Sequence, residues 1–138
     1  ITPQELQAIR SAQPGVKLIR AIHVGHGDAG APSIAAAMAA EPLVDALVLD
    51  SRTADRIGGT GMPHDWSVSR RIVERIGRPV ILAGGLRPEN LRAALETVRP
   101  AAVDVNSGIE DAAGAKDPVR AEAFVQICRS WGRVPPAP

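Results

Sequence analysis

Residues 46–66 read ALVLDSRTADRIGGTGMPHDW. They open with the apolar run Ala46, Leu47, Val48, Leu49 and stop at a carboxylate, Asp50. A polar loop follows, then Gly58, Gly59, Thr60 and Gly61, and a helical pattern begins at Asp65 and Trp66. A buried strand, an acid at its C-terminal end and a Gly-rich loop have the make-up of an active-site edge.

Upstream, TPQE at 2–5 reads as a helix start, with Thr2 as N-cap, Pro3 in the first turn and Glu5 three residues on. Pro14 and Gly15 end that helix. VKLIRAIHV at 16–24 is rich in β-branched residues and predicts a strand. GHGDAG at 25–30 is a turn, and an Ala-rich helix runs from Pro32 to Ala40, broken by Pro42.

Downstream, Asp65 or Ser67 caps a helix through Ile76. Its residues Val68, Ile72, Val73 and Ile76 recur at helical spacing, and Gly77 sits past its end. PVILA at 79–83 is a strand stopping at Gly84 and Gly85. Pro88, Glu89 and Asn90 open a helix with Leu91, Ala94, Leu95 and Val98 on one face, and Pro100 breaks it. AAVDV at 101–105 is a fourth strand, ending at Asn106, Ser107 and Gly108. Asp117 and Pro118 start a last helix, with Val119, Ala123, Phe124, Ile127 and Trp131 as its expected apolar face.

The order is a helix followed by four strand–helix units. Such alternation predicts an α/β fold with a parallel sheet and right-handed crossovers, and the near-continuous apolar strands predict cover on both faces. The length of 138 residues fits one domain, and 45% hydrophobic residues suffice for a core. A net charge of +1 and 2% aromatics argue against nucleic acid as a partner, for want of a basic field and stacking platforms. No apolar run approaches a membrane span. The single cysteine, Cys128, excludes an internal disulfide framework and suits a reducing, cytoplasmic setting.

LVLD at 47–50, GGTG at 58–61, DW at 65–66, LAGGLRPEN at 82–90, VDVNSGIE at 103–110 and KD at 116–117 occur in series. Together they resemble the second half of the phosphoribosylanthranilate isomerases, a family of (β/α)8 barrels in tryptophan biosynthesis. The resemblance implies that residues 1–131 form strands 5 to 8 of a TIM barrel and that 132–138 are a Pro-rich tail. It places the first four units upstream of Ile1. It also implies an aldose–ketose isomerase activity, the Amadori rearrangement of phosphoribosylanthranilate, with no metal or organic cofactor.

The reaction opens a furanose ring, so a general acid must protonate the ring oxygen. A carboxylic acid at a strand mouth can do so when a dry pocket keeps it protonated. The family match gives this role to Asp50. Gly84 and Gly85 lack side chains, so their backbone N–H groups can approach an anion closely, and Asn106, Ser107 and Gly108, after the last strand, add a hydroxyl. A short helical turn near Ile109 and Glu110 could present its N-terminus to the same anion. In barrels, phosphate commonly sits between the loops after strands 7 and 8. These residues are the expected phosphate grip.

Residues 58–61 are the expected lid over the pocket. Asp104, mid-strand, needs a partner if buried. It is expected either to pair with Arg20 across the barrel or to meet substrate hydroxyls. His23 and His26 lack a third ligand, and a packing role is expected for His64. The family's base, a strand-1 cysteine, and its carboxylate-binding arginine belong to the upstream half. Cys128 reads as a small, partly packed residue. The chain therefore carries the acid and the phosphate grip without the base. A non-catalytic sugar-phosphate-binding half-barrel that self-associates is the alternative. Either way the open sheet needs a partner, the other half-barrel or a second copy.

Overall fold

A computed structural model describes residues 1–25, 30–50 and 65–132. Helix α1 (Pro3–Ala12) precedes β1 (Ile19–His23), α2 (Gly30–Ala40), β2 (Ala46–Asp50), α3 (Trp66–Val73), β3 (Val80–Leu82), α4 (Pro88–Val98), β4 (Ala102–Val103) and α5 (Pro118–Trp131). The strands form one parallel sheet in the order β1-β2-β3-β4. Sequential parallel neighbours joined by helices match the expected α/β organisation.

Helix starts follow local chemistry. Thr2 and Glu5 form a capping box on α1. Asp65, rather than Ser67, caps α3: its Oδ1 accepts from the Ser67 N–H at 3.0 Å. Asp117 caps α5 through the N–H groups of Val119 and Arg120. Helix α3 stops at Val73, three residues earlier than expected. The chain then turns, and the Gly77 N–H donates to Glu41 Oε1 at 2.5 Å, with Ile76 still buried.

The sheet is covered on one face, contrary to the expectation of two. Leu47, Leu49, Val80, Leu82, Ile22 and Val24 face the helices and are buried among Val68, Ile72, Leu91, Ala94 and Val98. Their neighbours in the period-two alternation are open: Ile19 is 57% exposed, Ala21 and Ala102 are exposed, and Ala46, Val48 and Ile81 are half-buried. The apolar runs were legible in the sequence; among the described residues their second face stays partly open, except at Ala83, which is buried.

Two further expectations change. Helix α5 buries Phe124 and partly buries Ile127, Cys128 and Trp131, while Val119 is 74% exposed and Ala123 is exposed. At 3.6 residues per turn, Val119 lies well off the arc shared by Phe124, Ile127 and Trp131. Arg20 is in register with Leu47, on the helix side, whereas Asp104 follows β4 on the opposite face. The sheet therefore separates them, and the expected pair across the barrel does not form.

Asp45, before β2, ties this strand to the start of the chain. Its carboxylate accepts from the Leu18 N–H at 2.8 Å, Arg10 Nη2 at 2.8 Å and Lys17 Nζ at 3.2 Å. The Leu18 amide first, then Arg10 and Lys17, hold this carboxyl well below the usual carboxylate range. A carboxyl depressed in the folded state stabilises above its unfolded pKa near ~3.9 and loses that contribution as pH falls towards the folded value. Thermal melts of wild type and Asp45→Asn should therefore converge on acidification below about pH 4. Melting profiles that stay parallel from neutral to strongly acidic pH would contradict the Asp45 linkage.

Candidate functional site

The C-terminal ends of all four strands lie on one rim. His23 is in register with Asp50 on β2. Ala83 continues β3 by donating to Leu49 O at 2.8 Å, and Asp104 continues β4 by donating to Leu82 O at 2.8 Å. Successive residues alternate faces, so His23, Asp50, Ala83 and Asp104 form one cross-strand row on the open face. Asp50 is half-buried; His23 and Asp104 are exposed. Asp50 and Asp104 thus share the mouth without being adjacent, one strand apart. The register that sets His23 beside Asp50 was not evident in the sequence, because pairing between distant strands decides it.

The end of β1 is itself fixed. Ser33, buried at the start of α2, donates to His23 O at 2.9 Å and accepts from the Gly25 N–H at 3.1 Å. This pins the backbone that carries His23.

Beyond β3 the chain turns at Gly84 (φ 80°) and Gly85 (φ 66°), both in the left-handed region that favours glycine. The side-chain amide of Asn90, in the first turn of α4, donates to Gly85 O at 2.9 Å, and its Oδ1 accepts from the Arg87 N–H at 2.9 Å. Beyond β4, Ser107–Ile109 form a single 3-10 turn, starting earlier than the turn expected near Ile109. Gly108 lies against the preceding loop: a Cβ there would come 1.8 Å from Leu86 O and 3.1 Å from the Arg87 Cα. The loops after β3 and β4 are therefore in backbone contact.

Neither the Gly84, Gly85, Ser107 nor Gly108 N–H donates to an acceptor among the described residues. All four groups sit at the ends of adjacent strands. Amides without a protein acceptor at neighbouring strand ends suit an anion.

Two cations hold the second loop, and the sequence did not single out their role. Lys116 Nζ donates to Asn106 O at 2.9 Å, Asn106 Oδ1 at 2.5 Å and Glu110 Oε1 at 2.6 Å. Arg120, on α5, donates to Gly108 O through Nε at 3.3 Å and Nη2 at 3.1 Å, and pairs with Glu89 on α4. The KD pair at 116–117 was the signal; its partners lie ten residues back and across a loop.

Residues 58–61, the expected lid, lie outside the described residues, as do His26, His64 and 133–138. Among the described residues no cluster of three His, Cys, Asp or Glu side chains is arranged for a metal ion, and no helix is long and apolar enough to cross a membrane. Cys128 packs partly against the core, and burial pushes its thiol pKa up.

A four-stranded parallel α/β sheet, with helices on one face and its polar groups at the strands' C-terminal rim, is consistent with half of a (β/α)8 barrel. The chain belongs to the N-(5'-phosphoribosyl)anthranilate isomerase family, whose profile matches residues 3–127. N-(5'-phosphoribosyl)anthranilate isomerase 2 of Methanosarcina mazei is 42% identical over 131 residues, 94% of this chain and 56% of that protein. The Methanocella arvoryzae isomerase is 45% identical over 127 residues, 92% of this chain and 57% of its own. The crystal structure of phosphoribosyl anthranilate isomerase from Thermotoga maritima superposes with a TM-score of 0.73 at 31% identity, covering 91% of this chain and 57% of that one. The chain thus spans about half the length of the relatives it matches.

Proposed function

We propose that this chain is the phosphate-binding half of a phosphoribosylanthranilate isomerase-like barrel, corresponding to strands 5 to 8. The observation that carries the reading is the set of four amides, at Gly84, Gly85, Ser107 and Gly108, that donate to no acceptor among the described residues. Its ligand is a phosphorylated sugar-anthranilate, as the names of the relatives suggest. With the phosphate on the rim of β3 and β4, the ribose lies over the row holding Asp50 and Asp104. Asp50 then protonates the ring oxygen, and Asp104 meets sugar hydroxyls. Phosphate binding remote from the reacting carbon supplies energy that orients the ring over the acid.

By itself these 138 residues bind without turning over. The family resemblance puts the base on a strand-1 cysteine, and Cys128 lies in α5, away from the rim. Turnover needs a complementary half-barrel across the open face. That face, with exposed Ile19 beside half-buried Val48 and Ile81, suits such a partner or a second copy. The setting is cytoplasmic.

The test is titration with ribose 5-phosphate, comparing wild type with Gly85→Val. A β-branched residue at φ 66° is strained by about 1–2 kcal/mol and turns the amide away, so affinity should fall by about tenfold. Equal affinity in the two proteins would refute the grip.

A further inference from the structure

After β4 the chain doubles back. Asp111 Oδ1 accepts from the Ala113 and Ala115 N–H groups at 2.9 and 3.0 Å, and Glu110 pairs with Lys116 in an isolated antiparallel bridge. This return delivers the Lys116 ammonium to the back of the Asn106 turn. There it grips both the Asn106 carbonyl and the Asn106 side chain.

The consequence follows from peptide geometry. A trans peptide is planar, so the Asn106 C=O and the Ser107 N–H point in opposite directions. Holding the carbonyl oxygen on the Lys116 side aims the Ser107 N–H away from Lys116. Asn106 has φ −122° and ψ −87°, outside the main allowed regions, and the turn's own bond to its carbonyl, from the Ile109 N–H, is long at 3.4 Å, so this conformation draws on outside support. Charge-assisted hydrogen bonds from an ammonium supply it. The Glu110 carboxylate at 2.6 Å offsets most of the ammonium's own field, which leaves geometry as the main effect.

We propose that Lys116 is a positioning residue of the anion site: by holding the Asn106 carbonyl from behind, it presents the Ser107 N–H to the ligand phosphate. Arg120 supports the far end of the same turn through Gly108 O. The proposal rests on the phosphate reading above.

The test titrates inorganic phosphate into the full chain and follows backbone amide resonances. Lys116→Met should weaken phosphate binding by about tenfold, and Lys116→Arg should recover most of the loss. Lys116 is half-exposed, so a merely structural role would move the melting temperature instead of the affinity. Unchanged phosphate affinity in Lys116→Met overturns the proposal. If Lys116→Met does not fold, Lys116→Ala, which also removes the donor, is judged by the same criterion. If wild type binds no phosphate, the phosphate reading fails separately. Residual dipolar couplings of the Ser107 N–H then decide: a changed orientation in Lys116→Met supports the positioning role, and an identical one overturns it.

Discussion

Gly108→Ala is expected to lower the melting temperature by on the order of 10 °C and to weaken phosphate binding more than any other single methyl addition on the rim. The added Cβ would stand 1.8 Å from Leu86 O, 2.8 Å from the Leu86 carbonyl carbon and 3.1 Å from the Arg87 Cα. All three neighbours are backbone, so no side-chain rotation relieves the clash. The loops after β3 and β4 must separate, and with them the two pairs of free amides. Overpacking of this severity costs about 3 kcal/mol or more, a large fraction of a small domain's stability. Ser107→Ala serves as the control for the melt alone, since it leaves the backbone contact intact. A Gly108→Ala protein that melts within about 2 °C of wild type would show that the loops are not in the contact described.

Asp50→Asn has the second large effect, and it is confined to chemistry. When this chain is combined with a strand 1–4 half-barrel from a family relative, isomerase turnover should appear that neither part shows alone. In that assembly Asp50→Asn should lower turnover by about 10²- to 10⁴-fold, the usual contribution of a general acid. Binding of ribose 5-phosphate should hardly change, because the phosphate grip lies one strand away, on β3 and β4. Such a split would separate acid catalysis from binding. Equal turnover in the variant assembly would remove Asp50 from the reaction, and turnover by this chain alone would contradict the need for a second half.

The elements were legible wherever local chemistry decides them. Thr2 with Glu5 announced the first helix as a capping box, Asp65 or Ser67 announced α3, Asp117 with Pro118 announced the start of α5, and Asp50 announced the end of its strand. The paired glycines at 84 and 85 announced a turn, and positive φ is what it requires of them. What the sequence withheld depends on faces and registers. An apolar run does not tell whether one or both faces of its strand are covered, which is why β1 and β4 expose residues expected inside. Arg20 and Asp104 both read as mid-strand charges, but strand parity puts them on opposite faces. Val119 looked apolar and helical, and its angular position on α5 turns it to solvent. The rim shows the same division. Its glycines were visible in the sequence, while the clamps from Lys116 and Arg120 depend on long-range approach.

The most direct test of the phosphate site is a residue-resolved titration of the wild-type chain with ribose 5-phosphate, followed by backbone amide shifts. The amides of Gly84, Gly85, Ser107 and Gly108 should move together along one binding curve, with downfield proton shifts as each acquires an anionic acceptor. No shift at these four residues, or saturable shifts centred elsewhere on the fold, would contradict the site.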